Sequence, residues 1–542
     1  MLKNIFLTFT FFQFISNFKF KCGTDSIKKK PHFLEDTNNK GENNKRNLQV
    51  EYTPIKIYVD YTTLYNQNLF SSSEIRSLEN IFEEVIQYFS SLLSVQHTRF
   101  IIQEYMIPSF CDIIFFSRDL LNIIEDYDLL LFPMINEDLD EYVLAQAWTC
   151  IYSGERKPMV GIVEISPYFT LNKFDISYHM KYLLLHEITH ILGFSATIFK
   201  HLNIIYVERK NGITKEYINS TKVIEKAKIH FNCKNIKGIE LENQGQEGEA
   251  GSHWDARYML GDYMISTNYP EMTISDITLA YLEDTGFYKA NYYTGGLFRY
   301  GKNQGCSFLE EDCVSMQGTS FPNEFCTEPG GYFCGSSHIN RGDCYIIEYE
   351  DIITGQFRYF DNKYAGGFLP ADYCPVSYNY YEEKYENISY YPFNCNFGLS
   401  LYPSLGEEIG KNSICFESTL LSSSNILNSN NANKLNESLS VCYKIDCDRK
   451  RKQINVTIGE EIITCPTKGT ILRNPKGFFG TIKCPDYNLV CTSEIWCNEL
   501  FDCIDKKSVA DGNTYDYNNY RKIVLDVSKI ILWFILFIIN GF

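Results

Sequence analysis

Cysteine placement divides this chain into two unlike parts. Of 19 cysteines in 542 residues, four precede residue 300 and fifteen lie between Cys306 and Cys503. This number is typical of disulfide-bonded proteins in oxidising compartments, and a zinc ribbon is disfavoured because no Cys-x-x-Cys pair occurs. If Cys22 is removed with a leader, 18 cysteines remain from Cys111 onward, and we predict that they form nine disulfides.

Bulk composition predicts a globular protein of two or three domains. Hydrophobic residues make up 44% of the chain and charged residues 22%, which allows a sizeable core. The formal net charge of −17 argues against nucleic acid as a partner, because phosphate binding requires clustered lysine and arginine.

The amino terminus has the pattern of a secretory leader. Lys3 precedes an apolar run from Ile5 to Ile15, which has the length of a signal-peptide core and is too short to span a bilayer. We predict a signal peptide at residues 1–22 and a polar prosegment or linker at 23–49. Four sequons fit an extracellular glycoprotein: Asn219, Asn387, Asn436 and Asn455.

The carboxyl terminus ends in a second apolar run, Ile530 to Ile539, which is short for a membrane-spanning helix. Small residues at Ser508, Ala510 and Gly512, followed by a polar spacer, resemble the attachment signal of a lipid anchor. A tilted transmembrane span is the alternative. Either way, residues 508–542 are predicted to attach the protein to a membrane at the cell surface.

The first half of the chain mixes strand and helix patterns. Residues 55–61 alternate apolar and polar side chains, and two apolar runs at 127–135 and 157–166 also predict strands. Residues 71–93 have the apolar periodicity of an amphipathic helix, with Ser73 as the predicted N-cap. Beyond residue 290 the pattern changes to short strands and turns, so we place a domain boundary there.

The motif that carries chemistry is HEITH, within the apolar segment Leu183 to Ser195. His186 and His190 are four residues apart, so on a helix both imidazoles project from one face and can bind one metal ion. Zinc lowers the pKa of a water that it binds toward ~7, and Glu187 between the histidines can then accept the proton. Flanking apolar residues predict a buried helix, in which histidines without a partner would be costly. Gly193 then allows a sharp turn.

A catalytic zinc requires a third protein ligand, and the position six residues after His190, which supplies it in compact sites, is Ala196. Another part of the chain must therefore supply it. His253 stands apart because a polar, glycine-rich segment at 243–252 precedes it and Met264 follows eleven residues later. A methionine beneath three histidines forms the floor of metzincin zinc sites. The other candidates are His32, His97, His179, His201, His230 and His338.

These motifs resemble the leishmanolysin family of zinc metalloendopeptidases. The family signature of HExxHxxGF, a long insertion and then SHW…R…M is matched by HEITHILGF followed by SHWDARYMLGDYM. Further similar stretches are YVLAQAWTC with KPMVGIVEISP, then ITLAYLEDTGFYKANY, and FRYFDNKYAGGFLPADYCPV in the cysteine-rich half. The resemblance implies one Zn²⁺ per chain, with His186, His190 and His253 as ligands, Glu187 as general base and Met264 below the metal.

The resemblance also implies an α+β fold in three parts. A zincin- or metzincin-like mixed catalytic domain is expected at 50–195, a central region at 196–292, and a disulfide-rich, mainly β domain at 293–507. Two features depart from the family. Its members typically have an acidic residue with an aliphatic partner before the methionine, where this chain has Gly261-Asp262-Tyr263. Family precursors also often carry a prosegment cysteine that blocks the zinc, and the only candidate here is Cys22, beside the leader.

The predicted function is zinc-dependent hydrolysis of peptide bonds in protein or peptide substrates, with an expected role in cell adhesion. Glu187 would take a proton from the attacking water and return it to the leaving amine. Two alternatives stay open. One is a non-catalytic surface adhesion glycoprotein on the same scaffold, and the other is a metzincin with compact ligand spacing, which Ala196 opposes.

Overall fold

The structure is a computed structural model of the chain. The predicted signal peptide up to residue 20, most of the prosegment and the membrane tail lie outside the residues that it describes, and these assignments stay predictions. The described residues are 21–22, 32–33, 51–97, 111, 126–139, 143–167, 176–210, 212–244, 250–267, 269, 272–292, 298–315, 317–378, 394–396, 400, 403–410, 412–423, 439–448 and 450–491.

Strands and helices mix through the first 292 residues, which confirms the predicted α+β class. The strands are β1 (Lys21–Cys22), β2 (His32–Phe33), β3 (Thr53–Pro54), β4 (Ile57–Val59), β5 (Leu93–Val95), β6 (Leu129–Ile135), β7 (Val143–Tyr152), β8 (Pro158–Ile165), β9 (Ile205–Lys210), β10 (Ile213–Ile218), β11 (Ile239–Glu240) and β12 (Tyr288–Ala290). The helices are α1 (Thr62–Gln67), α2 (Ser72–Leu92), α3 (Ile176–Ile191), α4 (Ala196–Leu202), α5 (Thr221–Phe231), α6 (Ala256–Met259) and α7 (Asp276–Asp284).

The largest sheet of the first half has the strand order β1–β7–β8–β6–β4, and β2 also pairs with β7. Strands β4, β6 and β8 run parallel, whereas β7 is antiparallel to β8. The apolar runs of β6 and β8 are almost entirely buried, as expected for parallel strands covered on both faces. One face packs against α2 and α3 in the main core, and the other covers a smaller cluster at the Cys111–Cys150 disulfide.

Helix α2 has the predicted amphipathic face but a different N-cap. The cap is Ser71 rather than Ser73: its Oγ accepts the Glu74 amide at 3.3 Å, and the Glu74 carboxylate accepts the Ser71 amide at 2.8 Å. This reciprocal capping box requires Glu or Gln three residues after the cap. Ser73 is followed at that spacing by Arg76, so only Ser71 satisfies both ends.

The central region folds back so that residues far apart in sequence meet beside α3. Strands β9, β10 and β11 form an antiparallel sheet, and α5 packs against α7. Isolated bridges join Trp254 to Leu241 on one side and to Ile265 on the other. Residue 253 is thereby brought next to the turn that contains Met264.

Beyond residue 298, the described residues form short strands and no helix longer than four residues. The strands are β13 (Tyr332–Cys334), β14 (Arg341–Cys344), β15 (Ile347–Glu348), β16 (Ala365–Gly366), β17 (Ser377–Tyr378), β18 (Ser413–Ser418), β19 (Leu421–Ser422), β20 (Leu439–Asp448), β21 (Gln453–Ile458), β22 (Glu461–Cys465), β23 (Ile471–Arg473), β24 (Phe478–Phe479) and β25 (Thr481–Lys483). The short helices are α8 (Ser307–Glu310) and α9 (Tyr487–Val490), with 3-10 turns at Gly355–Phe357, Leu369–Ala371 and Pro403–Leu405.

Two large hydrophobic cores and a small cluster of buried cysteines lie in the described part of this second half. The six-stranded antiparallel sheet β22–β21–β20–β18–β25–β23 has its own core, which includes Ile414, Val441 and Val456. The main core of the first half extends past residue 293 as far as Val376. Several residues between 298 and 376 therefore pack with the first half of the chain, and the domain boundary at 293 stays a prediction.

Two of the predicted glycosylation sequons, and one helical stretch that could span a membrane, lie within the described residues. Asn219 is exposed and Asn455 is partly buried, and glycosylation at both stays a prediction. Within the described part of the chain, one helical stretch, Met180–Leu202, is long and apolar enough to cross a membrane, but 72% of its most apolar window is buried inside the protein. That stretch includes the HEITH motif, so its apolar character is accounted for by packing in the core.

The described cysteines form eight disulfides, which use 16 of the 18 cysteines predicted to pair. The other two, Cys497 and Cys503, lie outside the described residues, so the ninth pair stays a prediction. The sequence did not predict the connectivity. The pairs are Cys111–Cys150, Cys233–Cys306, Cys313–Cys374, Cys326–Cys344, Cys334–Cys415, Cys395–Cys442, Cys447–Cys491 and Cys465–Cys484.

Thiol titration tests the nine-disulfide prediction. Denatured, unreduced protein should show no free thiol between Cys111 and Cys503, because the cross-links stabilise a half of the chain that has few long elements. A chain that retains Cys22 should show one thiol, and its Cys22→Ser control should show none. Two thiols in the Cys22→Ser chain would contradict the ninth pair.

Candidate metal centre

Helix α3 places His186 and His190 on one face within the protein interior. Leu184, Leu185 and Ile188 on the same helix are completely buried in the main core, and both histidines are buried as well. The helix ends at Ile191, and Gly193 follows in a turn with a φ of +119°, a backbone conformation that L side chains rarely adopt. The predicted sharp turn after the second histidine is therefore present.

His253 approaches the same point from the central region. Its Nε2 lies 3.2 Å from the Nε2 of His186 and 3.2 Å from that of His190, and the two helix nitrogens are 3.0 Å apart. All three side chains are buried. The structure thus brings together the three histidines predicted as ligands.

Hydrogen bonds at the other ring nitrogens define the tautomers of the two helix histidines. The Nδ1 of His186 donates to the carbonyl oxygen of Tyr263 at 2.6 Å, and the Nδ1 of His190 donates to that of Phe194 at 2.7 Å. A carbonyl oxygen only accepts, so in each neutral ring the Nε2 carries a lone pair. The Nδ1 of His253 lies 3.1 Å from the hydroxyl of Ser252.

This arrangement fits a bound cation. Two Nε2 lone pairs at 3.0 Å cannot hydrogen-bond to each other, and they repel unless a positive charge lies between them. A tetrahedral zinc with bonds of about 2.0–2.1 Å separates its ligand nitrogens by about 3.3–3.4 Å, close to the observed spacing. Partners that fix the far ring nitrogen are also typical of metal-binding histidines. The three residues therefore fit a zinc ion.

Burial keeps the helix histidines neutral, which is the protonation state that binds metal. Removal from water lowers the pKa of His186 to about 4, although its bond to the Tyr263 carbonyl raises it. Burial also lowers the pKa of His190, and the neighbouring His186 and His253 lower it further. Both rings are therefore uncharged at neutral pH.

Glu187 and Met264 are both completely buried near this centre. Glu187 lies between the two helix histidines on α3. Met264 lies in a turn, and its carbonyl oxygen accepts a hydrogen bond from the amide of Trp254 at 2.9 Å. The residue after the third histidine is therefore hydrogen-bonded to the methionine. This contact joins the two segments that the sequence predicts to meet.

Asp262 and Tyr263 support the site, and the sequence did not identify their roles. Asp262 accepts the Met264 amide at 2.8 Å and the Thr278 hydroxyl at 2.8 Å, and Thr278 accepts the indole N–H of Trp254 at 2.8 Å. The carbonyl oxygen of Tyr263 accepts the hydrogen bond from His186, and the hydroxyl of Tyr263 lies 2.9 Å from the hydroxyl of Thr189. The only signal in the sequence is a polar residue two positions before a buried methionine.

The other candidate histidines that the structure describes contact other groups. His201 is exposed on α4. His97 lies 3.1 Å from a carboxylate oxygen of Asp128, His230 bonds to a backbone carbonyl, and His338 bonds to the carbonyl of Cys415. The side chains of His32 and His179 lie outside the described residues.

A buried cluster of three histidines, two from HExxH and one from a distant segment that a methionine turn follows, is typical of metzincin-like metallopeptidases. Comparison with known proteins agrees. The family model of leishmanolysin, peptidase M8, matches residues 78–497. The chain belongs to the leishmanolysin family, which confirms the resemblance inferred from the motifs.

Individual relatives match over part of their length. The chain is 34% identical over 238 residues to a leishmanolysin homolog of Crithidia fasciculata, covering 43% of this chain and 36% of the relative. It is 27% identical over 367 residues to leishmanolysin of Leishmania tropica, covering 66% of this chain and 53% of the relative. It is 27% identical over 315 residues to a leishmanolysin-like peptidase of Drosophila melanogaster, covering 50% of this chain and 44% of the relative. The chain thus spans about half, or less, of these relatives.

Proposed function

We propose that this protein is a zinc-dependent endopeptidase that hydrolyses peptide bonds in proteins. One observation carries the proposal: three buried imidazole nitrogens lie within 3.2 Å of one another, and the buried carboxylate of Glu187 is on the helix that supplies two of them. Membership of the leishmanolysin family, whose members are zinc-dependent metallopeptidases, supports it. Protein or peptide substrates follow from that membership.

The roles proposed for the chain's own residues follow from their chemistry. His186, His190 and His253 would hold the zinc, which when bound supplies Lewis-acid polarisation of the substrate carbonyl and of an attacking water. Glu187 accepts the proton from that water and delivers it to the departing amine. Its burial among apolar residues of α3 strengthens its electrostatic interactions, because the surroundings screen charge less than water does.

The rival function is adhesion by a non-catalytic surface glycoprotein on the same scaffold. Such a protein is under no constraint to keep ligands and base, yet all three histidines and Glu187 are present in buried positions. The expected additional role in adhesion has no support beyond the resemblance.

Casein hydrolysis with and without a chelator tests the proposal. Purified protein should cleave casein, 1,10-phenanthroline should abolish cleavage, and added zinc should restore it, because the proposed mechanism requires the ion. The non-chelating isomer 1,7-phenanthroline is the matched control and should have no effect. Cleavage that persists after the chelator has removed the zinc would overturn the proposal, as would a zinc-loaded protein that cleaves nothing.

We also propose that the protein acts at the cell surface or outside the cell. Eight disulfides support an oxidising destination. A lipid anchor or membrane span at 508–542 is supported by the apolar run at 530–539.

A further inference from the structure

A second group of buried charges lies in the central region, beside the segment that carries His253. Glu240, Asp255 and Asp372 are all buried, with carboxylate oxygens within 4.8 Å of one another. The ammonium nitrogen of Lys215 lies 2.6 Å from Glu240 and 3.5 Å from Asp372. These four side chains, here called the Lys215 network, come from four separate segments of the chain.

The Lys215 network is an ion-pair network and not a second metal site. The position next to Glu240 and Asp372 is already occupied by the Lys215 ammonium. Burial by itself lowers the pKa of Lys215, but Tyr258, Glu240, Asp372 and Asp255 raise it above its usual value, so the side chain is charged. Its positive charge offsets a group of carboxylates that would otherwise be costly to bury together.

Side-chain amides also donate hydrogen bonds to these carboxylates. Asn243 donates to Glu240 and to Asp255, both at 3.1 Å, and Gln244 donates to Asp372 at 2.6 Å. These hydrogen bonds add to the contacts that Lys215 makes with Glu240 and Asp372. The loop after β11 is thus fixed to the same carboxylates as Lys215.

Backbone hydrogen bonds connect the Lys215 network to the segment that carries the third histidine. The amide of Glu242 donates to the carbonyl of His253 at 2.9 Å, and the amide of Asp255 donates to the carbonyl of Glu240 at 3.1 Å. The Asp255 carboxylate also accepts the Arg257 amide at 2.8 Å, which caps α6. His253 is therefore hydrogen-bonded to Glu242, and the chain two residues after it is hydrogen-bonded to Glu240, which forms an ion pair with Lys215.

Asp372 extends the Lys215 network into the cysteine-rich half of the chain. It follows the 3-10 turn Leu369–Ala371 and has a φ of +54°, an unfavourable conformation for most side chains. Two residues later, Cys374 forms a disulfide with Cys313. The cross-linked half thus presents a fixed carboxylate to Lys215, 157 residues away in sequence.

We propose that Lys215 is a positioning residue for the metal centre: through Glu240 and Asp372 it fixes the segment that presents His253 and couples that ligand to the cysteine-rich half. This inference rests on the proposed function, because it assigns His253 to a zinc site. A residue that fixes a ligand's segment tunes metal affinity without touching the metal, as partners beyond the direct ligands generally do.

Zinc affinity of Lys215→Met tests the inference. The variant keeps the length of the side chain but leaves the buried carboxylates without their cation, and its zinc affinity in competition with a chromophoric chelator should fall about 10–100-fold. Lys222→Met is the matched control. It removes an exposed ion pair, Lys222 to Glu283 at 2.9 Å, and should change zinc affinity less than about twofold.

Further variants separate positioning from general loss of structure. Lys215→Arg keeps the charge and should bind zinc more tightly than Lys215→Met. Asp372→Asn removes one partner while keeping its shape, so it should weaken zinc binding without unfolding the protein even if Lys215→Met does not fold. At saturating zinc, Lys215→Met should have the KM of the wild-type protein but a lower kcat. The reason is that a displaced His253 alters the reacting centre rather than the substrate contacts.

The outcomes are distinguishable from failure of the proposed function. If the wild-type protein binds no zinc, the proposed function is wrong. If the wild type binds zinc and Lys215→Met and Asp372→Asn bind it equally well, the positioning role alone is wrong.

Discussion

Glu187→Gln should bind zinc as the wild-type protein does and lose peptide hydrolysis by about 10²–10⁴-fold, the usual contribution of a general base. The substitution leaves His186, His190 and His253 in place and preserves the shape of the side chain. It removes only the ability to accept a proton, because an amide oxygen is not a useful base at neutral pH. Zinc content and casein turnover measured on the same preparation provide the comparison.

The control for this variant is another buried glutamate. Glu324→Gln removes a carboxylate that accepts a bond from Gln304 at 3.1 Å outside the metal centre. Burial raises the pKa of Glu324 to about 7, so a neutral side chain there is already tolerated. Glu324→Gln should retain full turnover. Wild-type turnover in Glu187→Gln would refute its role as the base, and zinc loss in that variant would show that it does more than accept a proton.

Local periodicity was sufficient to predict several elements of the first half of the chain. The apolar runs at 127–135 and 157–166 form β6 and β8, and the amphipathic pattern at 71–93 forms α2. Each of these elements is specified by neighbours within a few residues of the same chain segment. The one local error, the N-cap, arose because Ser71 and Ser73 are both plausible caps and only the position of Glu74 distinguishes them.

Features that depend on distant contacts could not be predicted in this way. The HEITH spacing predicts that two histidines face one point, but the partner of the His186 Nδ1, the carbonyl oxygen of Tyr263, lies 77 residues away along the chain. Disulfide connectivity and the Lys215 network likewise join residues up to 157 positions apart. Periodicity along the chain carries no information about such pairs, and single-residue chemistry shows only that a buried charge must find a partner.

The choice of His253 as the third ligand depended on the family resemblance as well as on residue type. Residue type alone left seven histidines besides the helix pair, and the methionine eleven positions after His253 favoured one of them. The family signature made that choice specific, and the structure brings His253 to within 3.2 Å of both helix histidines. Its role as a ligand is a proposal that metal measurements must test.

His253→Ala should lose zinc and activity together, whereas His201→Ala should retain both. Removal of the His253 imidazole leaves two nitrogen ligands from α3, fewer than the three that catalytic zinc sites use. The loss of zinc affinity should therefore exceed the 10–100-fold that is typical when only a supporting residue is changed. His201 is the matched control because it is exposed on α4 and makes no contact with the three histidines in the described structure.

Metal content after dialysis and thermal unfolding with added zinc decide this prediction. A ligand that binds only the folded state stabilises it by about 2.7 kcal/mol at 100 times its dissociation constant. Wild-type protein and His201→Ala should therefore gain that stability when zinc is added, whereas His253→Ala should gain almost none at the same concentration. The zinc-free forms of all three proteins should be compared first, so that a folding defect in His253→Ala is separated from loss of binding. Full zinc occupancy in His253→Ala, or loss of zinc in His201→Ala, would show that the third ligand is not His253.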